Sequence, residues 1–172
     1  MTDDTLRLFF ALPCPPEQAN AICTWRDGQG YGGWPVAPAN LHLTLAFLGA
    51  QPADSVEQLK QLAAGIKGQA FELTLDRLIT LGKGYLCLQP EHAPPALPWL
   101  AATLAERLAT LGILLDSRPF LPHLTLVRQA SERLNGRAPA FSWTAERFVL
   151  YQSTSTAHGV HYQELGSWPL TS

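Results

Sequence analysis

The tetrapeptide His-Leu-Thr-Leu occurs twice in this sequence, within LHLTLAFLG at residues 41–49 and within PHLTLVR at residues 122–128. Each copy lies in a short apolar run, which is typical of a β-strand. Side chains in a strand alternate between the two faces of a sheet. The leucines of each copy therefore point to one face, and the histidine and threonine share the other. The fold must give both strands a buried side and a polar side.

The remaining segments predict further strands and three helices. Strands are predicted at 6–12, 71–78, 85–89, 147–155 and 160–168, with a short extra one at 113–116. Helices are predicted after Pro15 and Pro16, over 53–67 with Asp54 or Ser55 as N-cap, and over 97–112. Gly49 is predicted to end the first motif strand. Helices alternate with strands early and strands cluster late, which favours an α+β fold of α/β type with mainly antiparallel sheets over a doubly wound parallel one.

Composition sets limits on the class of protein. The chain has 172 residues, of which 47% are hydrophobic and 15% charged, so it predicts one globular domain over 1–172 or two small lobes sharing a core. The net charge of −2 argues against a general nucleic-acid coat, which needs a basic surface. A small site for one or two phosphates remains compatible with that charge.

Targeting signals and cysteine spacing predict the compartment. No apolar run reaches the roughly 18 residues that span a bilayer, and the acidic start MTDDTLRLFF has no basic leader. The three cysteines lack metal-ligand spacing and are expected to be reduced, buried thiols. We expect a cytoplasmic protein with no membrane association and no obligatory protein partner.

Two His-Leu-Thr-Leu strands that face each other would bring two imidazoles and two hydroxyls into one cleft. One of His42 and His123 could then act as general base and the other as general acid, since the ordinary histidine pKa lies near neutrality. Thr44 and Thr125 could donate hydrogen bonds to phosphate oxygens. A single histidine on a strand is more often a half-buried polar residue, but two identical pairings among only five histidines favour function.

Other candidate residues are weaker. Strict alternation puts Arg128 on the leucine face, from which it reaches the cleft only if the strand ends or bulges. Arg7 and Phe9 share a face of the first strand; if that face lines the cleft they could hold a phosphate and stack on a base, although core packing is the simpler expectation for Phe9. Arg118 is a further candidate for substrate contact or for a surface role.

Several residues and sites are expected to have no part in the chemistry. His92 is expected to be solvent-exposed, and a role in substrate contact is less expected for His158 and His161 than none. Tyr151 is expected to lie in the core or at its rim. The sequence has no His-Glu-x-x-His, Cys-x-x-Cys or glycine-rich phosphate loop, so neither a metal nor a nucleotide cofactor is indicated.

The two motifs in this context resemble the two-histidine phosphoesterase superfamily, and within it the bacterial RNA 2′,3′-cyclic phosphodiesterases, also called 2′-5′ RNA ligases. The resemblance covers nearly the whole chain and includes the stretches RLFFAL, NLHLTLAFLG, RPFLPHLTLVR and FVLYQS. It implies two similar lobes around a central cleft, with one His-x-Thr-x strand in each lobe. It also implies metal-independent opening of a 2′,3′-cyclic phosphate at an RNA end to leave a 2′-phosphomonoester.

The resemblance also implies roles for individual residues. His42 matches the proton donor to the leaving oxygen and His123 the proton acceptor from water, while Thr44 and Thr125 match the phosphate-binding threonines and Arg128 a basic residue after the second motif. Reversible 2′-5′ ligation is the same chemistry with a ribose hydroxyl in place of water.

Three alternatives remain open from the sequence. The same residues could act on a small cyclic nucleotide or a 2′-5′-linked oligonucleotide. The protein could be an RNA-end or nucleotide-binding module without turnover. The two motif strands could also lie far apart in an α+β protein of another function.

Overall fold

The computed structural model of the protein describes residues 4–171. This part of the chain forms three α-helices and nine β-strands. The helices are α1 (Pro16–Asp27), α2 (Val56–Ala64) and α3 (Ala96–Thr110). The strands are β1 (Thr5–Pro13), β2 (Trp34–Pro35), β3 (His42–Pro52), β4 (Phe71–Leu81), β5 (Tyr85–Gln89), β6 (Leu124–Arg128), β7 (Asn135–Ala145), β8 (Arg147–Thr156) and β9 (Gly159–Pro169).

All nine strands belong to one sheet. Eight follow the order β7-β4-β5-β6-β3-β1-β8-β9, and the short β2 pairs with β6. Every pair of neighbouring strands is antiparallel. Two halves of four strands meet where β3 pairs with β6 through Leu43 and Leu124. The structure confirms the α+β prediction and puts one motif strand in each half; the extent of the domain over 1–172 stays a prediction.

The buried face of the sheet carries the motif leucines. Leu43, Leu124 and Leu126 are fully buried and Leu45 nearly so, while the histidine and threonine of each motif are only half-buried. Helix α3 packs against β3 and α2, and α1 packs against β7, where the Trp25 and Phe141 rings lie 5.7 Å apart. Burying these leucines leaves the opposite face free for polar chemistry, as the alternation predicts.

Two strands were not predicted, and one predicted strand is absent. Strand β7 has the sequence NGRAPAFSWTA, whose glycine and proline argue against a strand, yet it forms the edge of the sheet, where a proline costs no ladder hydrogen bond. Strand β2 has only two residues. Residues 113–116 are irregular, so the extra strand predicted there is wrong. Leu114 in that segment is 82% exposed, and no described strand pairs with it.

The predicted helices are present, with small differences at their ends. Helix α2 is shorter than predicted because residues Ala53–Ser55 form a 3-10 turn. Ser55 is its N-cap residue, but the hydroxyl donates to the Pro52 carbonyl, 2.6 Å away, and not to a helix amide. Gly49 does not end β3, which continues to Pro52, because the positive φ of 71° at Gly49 adapts to a register shift. Within residues 4–171 no helix is long and apolar enough to span a membrane.

Candidate active site

The structure brings the two histidines together at the junction of the two half-sheets. Leu43 and Leu124 are directly opposite each other in the antiparallel pair of β3 and β6. Continued by one residue in each direction, an antiparallel register sets His42 toward Thr125 and Thr44 toward His123. The positive charge that His123 can carry lowers the pKa of His42, as expected for imidazoles in one cleft. The alternative in which the motif strands lie far apart is wrong.

Each imidazole is oriented by a backbone carbonyl two residues before it. His42 Nδ1 lies 2.8 Å from the Asn40 carbonyl oxygen, and His123 Nδ1 lies 2.7 Å from that of Leu121. A carbonyl oxygen only accepts, so each Nδ1 must carry its proton. In the neutral imidazoles the lone pair therefore resides on Nε2. For His42 this atom lies 3.0 Å from Thr44 Oγ1, which can donate to it.

An aromatic wall surrounds His42. The Phe9 and Tyr162 rings lie 4.9 Å and 5.1 Å from the imidazole, and the Tyr151 ring lies 6.3 Å from it. Burial lowers the pKa of His42 to about 4; the hydrogen bond to Asn40 opposes this shift, and the charges of His123 and Arg128 add to it. In the unliganded protein His42 is therefore neutral at pH 7.

A bulge in each motif strand turns one further side chain toward the cleft face, that of the sixth residue counted from the motif histidine. In β6, Thr125 pairs with Cys87 and Val127 pairs with Leu86, so Leu126 is an extra residue. Leu126 and Val127 are both buried, and Arg128 therefore points to the same face as Thr125. The same shift occurs in β3, where Leu45 is the extra residue and the 54% exposed Phe47 takes the corresponding place.

Arg128 lies on the cleft face because of this bulge, so strict alternation alone gave the wrong face for it. Its guanidinium donates to the Tyr162 hydroxyl at 3.3 Å. Since Tyr162 belongs to β9 and Arg128 to β6, this hydrogen bond crosses the cleft from one half-sheet to the other. The arginine thus lies where its charge lowers the pKa of His42.

Arg7 and Phe9 also lie on the cleft face, in β1. Phe9 is 4% exposed, so it is buried as expected, but its ring packs in the aromatic wall beside His42. Arg7 is exposed, with its guanidinium carbon 5.5 Å from the centre of the Phe47 ring. Neither residue contacts His123 or Arg128 among the described hydrogen bonds and ring contacts.

Arg118 lies in the loop between α3 and β6. Its guanidinium donates to the Asp116 carboxylate, with the closer nitrogen at 2.7 Å, and the side chain is 85% exposed. The ion pair holds the pKa of Asp116 below its usual value. Arg118 lines a groove of about 880 Å³ with Phe47 and Phe120, outside the contacts that surround the histidines. Its place in the structure fits a surface role better than a phosphate contact.

Two residues of the site were missed from the sequence. The Asn40 backbone carbonyl accepts a hydrogen bond from His42 Nδ1. Its side-chain amide donates to the Val160 carbonyl at 3.0 Å, and this bond ties the loop before β3 to β9. The sequence pattern did not single out Tyr162. In β9 this tyrosine lies opposite Ser153, which puts it on the cleft face, whereas the neighbouring His161 is exposed. Alternation in β9 was a signal that could have found Tyr162.

The threonines rest on different neighbours. Thr44 lies opposite Ala11, whereas Thr125 lies opposite Cys87, whose sulfur is 3.7 Å from Thr125 Oγ1. Burial raises the pKa of the Cys87 thiol to about 11, so it is neutral. Cys87 therefore supports Thr125 as a neutral hydrogen-bond partner and not as a nucleophile.

Other titratable groups do not join this cleft. His92 is exposed, as expected, and His158 and His161 are exposed too. Across residues 4–171, no three side chains of histidine, cysteine, aspartate or glutamate gather in a way that could hold a metal ion. The chemistry available to the described site consists of two imidazoles, two threonine hydroxyls, the Tyr162 hydroxyl and one guanidinium.

Comparison with known proteins agrees with this geometry. A family model for the 2′-5′ RNA ligase superfamily matches residues 14–157. The RNA 2′,3′-cyclic phosphodiesterase of Escherichia coli (strain K12) is 39% identical, over 96% of this chain and 97% of that protein. The enzyme of the same name from Thermus thermophilus is 29% identical, over 96% of this chain and 90% of that protein.

Solved structures show the same fold. The crystal structure of E. coli LigT complexed with 3′-AMP superimposes with a TM-score of 0.90 at 36% identity, covering 98% of this chain and all of that one. The structure of E. coli LigT complexed with phosphate gives 0.86 at 34% identity, covering 99% of this chain and all of that one. On the match of the family model and this likeness over the full chain, the protein belongs to the 2′-5′ RNA ligase superfamily.

Proposed function

We propose that the protein is an RNA 2′,3′-cyclic phosphodiesterase that hydrolyses the cyclic phosphate at an RNA end to a 2′-phosphomonoester without a metal ion. One observation carries the proposal: two imidazoles with fixed Nδ1 protons meet across the Leu43–Leu124 junction, each with a threonine hydroxyl on the same face. The curated relatives that carry this activity in their names support it along the full chain.

In the proposed reaction a water oxygen bonds to phosphorus while the bond from phosphorus to O3′ breaks. His123 Nε2 takes the proton of the attacking water, and His42 Nε2 gives its proton to O3′. Thr44, Thr125 and Arg128 stabilise the charge on the non-bridging oxygens through their hydroxyls and guanidinium. With a ribose hydroxyl attacking in place of water, the same steps would form a 2′-5′ linkage, and their reversal would cleave it.

The low pKa of His42 constrains these roles. A proton donor must be protonated before the bond breaks, and His42 is neutral at pH 7 in the unliganded protein. A cyclic phosphate carries one negative charge, and its binding beside His42 raises the affinity of the imidazole for a proton. The donor role therefore depends on bound substrate. The alkaline limb of kcat, which reports the enzyme–substrate complex, should lie at higher pH than that of kcat/KM, which reports the free enzyme.

The first test is the position of the phosphate in the product. An oligoribonucleotide ending in a 2′,3′-cyclic phosphate is incubated with the protein and a chelator, and the product is identified. We expect a 2′-phosphate end with the wild type and none with His42→Ala. A 3′-phosphate end would still indicate a cyclic phosphodiesterase, but with O2′ as the leaving oxygen. Intact substrate, bound tightly, would support a binding module.

The same assay discriminates between substrates. Hydrolysis of a small cyclic nucleotide or a 2′-5′-linked oligonucleotide in preference to the RNA end would replace the substrate proposed here.

All three cysteines are unpaired in the described chain, and we propose a cytoplasmic location on that basis.

A further inference from the structure

Two large aromatic side chains are exposed on either side of Arg128. Trp34 is 68% exposed and Tyr85 is 48% exposed, although side chains of this kind are usually more buried. Neither takes part in the ring contacts around His42. Their exposure next to the phosphate site calls for a ligand with an aromatic face.

The sheet register puts both aromatics on the cleft face. Trp34 in β2 is the direct antiparallel partner of Arg128 in β6, so the two side chains share a face. On the other side of β6, Leu86 pairs with Val127, and both are buried. One step along, Tyr85 therefore points with Arg128 away from the core. The three side chains lie in a row across β2, β6 and β5, which we name the Trp34 platform.

Trp34 is held in a fixed orientation. Its indole N–H donates to Gln129 Oε1 at 3.3 Å. Gln129 has a φ of 52°, the one positive φ at a residue other than glycine in the described chain, which is a conformation that costs energy. Gly33 has a φ of 71°, and a Cβ there would lie 2.6 Å from the Arg128 and Gln129 carbonyl oxygens. This backbone packing brings the tryptophan close to the arginine.

Cations border the platform. Lys83 lies in the turn between β4 and β5, two residues before Tyr85. Arg133 donates to the Gly82 carbonyl at 2.7 Å and so lies against the same turn, with Glu132 as its acidic neighbour in sequence. Aromatic faces among cations are the arrangement that binds single-stranded nucleic acid, because bases stack on the rings and phosphates meet the charges.

We propose that the Trp34 platform binds the base of the nucleotide that precedes the cyclic-phosphate end of a single-stranded RNA, an inference that rests on the function proposed above. Arg128 lies three residues beyond Thr125, but the bulge at Leu126 shortens this to two steps of the partner strand, or about 7 Å. The cyclic phosphate fixes the terminal nucleotide between the histidines. A surface at that distance is within reach of the next nucleotide, whose base stacks on Trp34 while Tyr85 borders the other side of Arg128.

The test compares two substrates in four variants. The substrates are adenosine 2′,3′-cyclic phosphate and adenylyl-adenosine 2′,3′-cyclic phosphate, and the variants are Trp34→Ala, Trp34→Phe, Tyr85→Ala and the control Trp99→Ala. Trp99 is 48% exposed on α3, away from the cleft. We expect Trp34→Ala to lower kcat/KM for the dinucleotide about tenfold more than for the mononucleotide, mainly through KM. Trp34→Phe should restore most of the loss, Tyr85→Ala should cost less, and Trp99→Ala should change neither substrate.

An equal loss on both substrates in Trp34→Ala would mean that Trp34 only supports the site, and no loss would mean that the platform binds nothing; either result overturns the inference. Binding is measured separately from hydrolysis with a fluorescent oligoribonucleotide that ends in a 2′-phosphate and is abasic at the second nucleotide. We expect wild type to bind it about tenfold more weakly than the intact oligonucleotide. Equal affinity for the abasic and the intact oligonucleotide overturns the inference, even if neither substrate is hydrolysed. If binding depends on the base but no hydrolysis is seen, the result counts against the proposed function alone.

Discussion

The two motif strands, β3 and β6, place the same four residues in the same way but surround them differently. In both, a backbone carbonyl orients the histidine, the threonine shares its face, and a bulge at the second leucine brings the sixth residue into the cleft. That sixth residue is Phe47 in β3 and Arg128 in β6. Only the histidine of β3 is packed among aromatic rings in the described contacts.

These surroundings make the two imidazoles chemically different. Burial lowers the pKa of His42 to about 4, whereas His123 has no such wall among the described ring contacts. A pair of titratable groups whose environments differ is what acid and base roles require. The comparison teaches that a repeated motif supplies the reacting groups, and the neighbouring strands make them unequal.

Removing either histidine is the largest test of this comparison. His42→Ala and His123→Ala should each lower kcat on a cyclic-phosphate oligoribonucleotide by about 10²–10⁴, the usual cost of losing a general acid or base. His161→Ala serves as the control, since that histidine is exposed on the other face of β9. Turnover at the wild-type rate in either active-site variant would contradict the assignment of both.

The burial of His42 should appear in the pH dependence of stability. Its folded pKa of about 4 lies below the ordinary value of 6.5, so folding favours the neutral imidazole. The stability that this group contributes is complete above pH 6.5 and is lost as pH falls toward 4, by about 3 kcal/mol at most. Urea unfolding of wild type and His42→Gln at several pH values measures it; an identical pH dependence in the two proteins below pH 6.5 would show that His42 is not desolvated.

Replacing each of the two sixth residues by leucine tests the difference between the strands. Arg128→Leu removes a charged hydrogen-bond donor and should lower kcat/KM about ten- to hundredfold. Phe47→Leu should cost less than about threefold, because its exposed ring lies beside Arg7 and outside the aromatic wall of His42. Equal losses in the two variants would mean that β3 contributes to phosphate binding as strongly as β6.

The threonines should give smaller effects than Arg128. Thr44→Val and Thr125→Val each remove one neutral hydrogen-bond donor, which corresponds to a loss of about three- to tenfold in kcat/KM. Thr44 also donates to His42, so its loss should shift the pH–rate profile more than that of Thr125. Identical profiles for the two variants would argue that the contact with His42 is not maintained during turnover.

The local sequence pattern was sufficient to predict the two motif strands and which face of each strand is apolar and which is polar. Leucines at alternate positions bury because apolar surface is removed from water, and that requirement leaves His42, Thr44, His123 and Thr125 on the polar side. The helices were predictable for the same reason. Strand β7 was not, because its place at the sheet edge, which tolerates Pro139, depends on β4 as a neighbour.

Only the tertiary structure decided which side chains reach the two imidazoles. The bulge at Leu126 depends on pairing with β5, and it alone turns Arg128 toward the histidines. Tyr162 reaches His42 from β9, in the last hairpin of the fold, and the low pKa of His42 arises from this packing. Period-two alternation is a property of a chain segment, whereas register shifts and desolvation are properties of strands brought together, so the first can be read along the sequence and the second cannot.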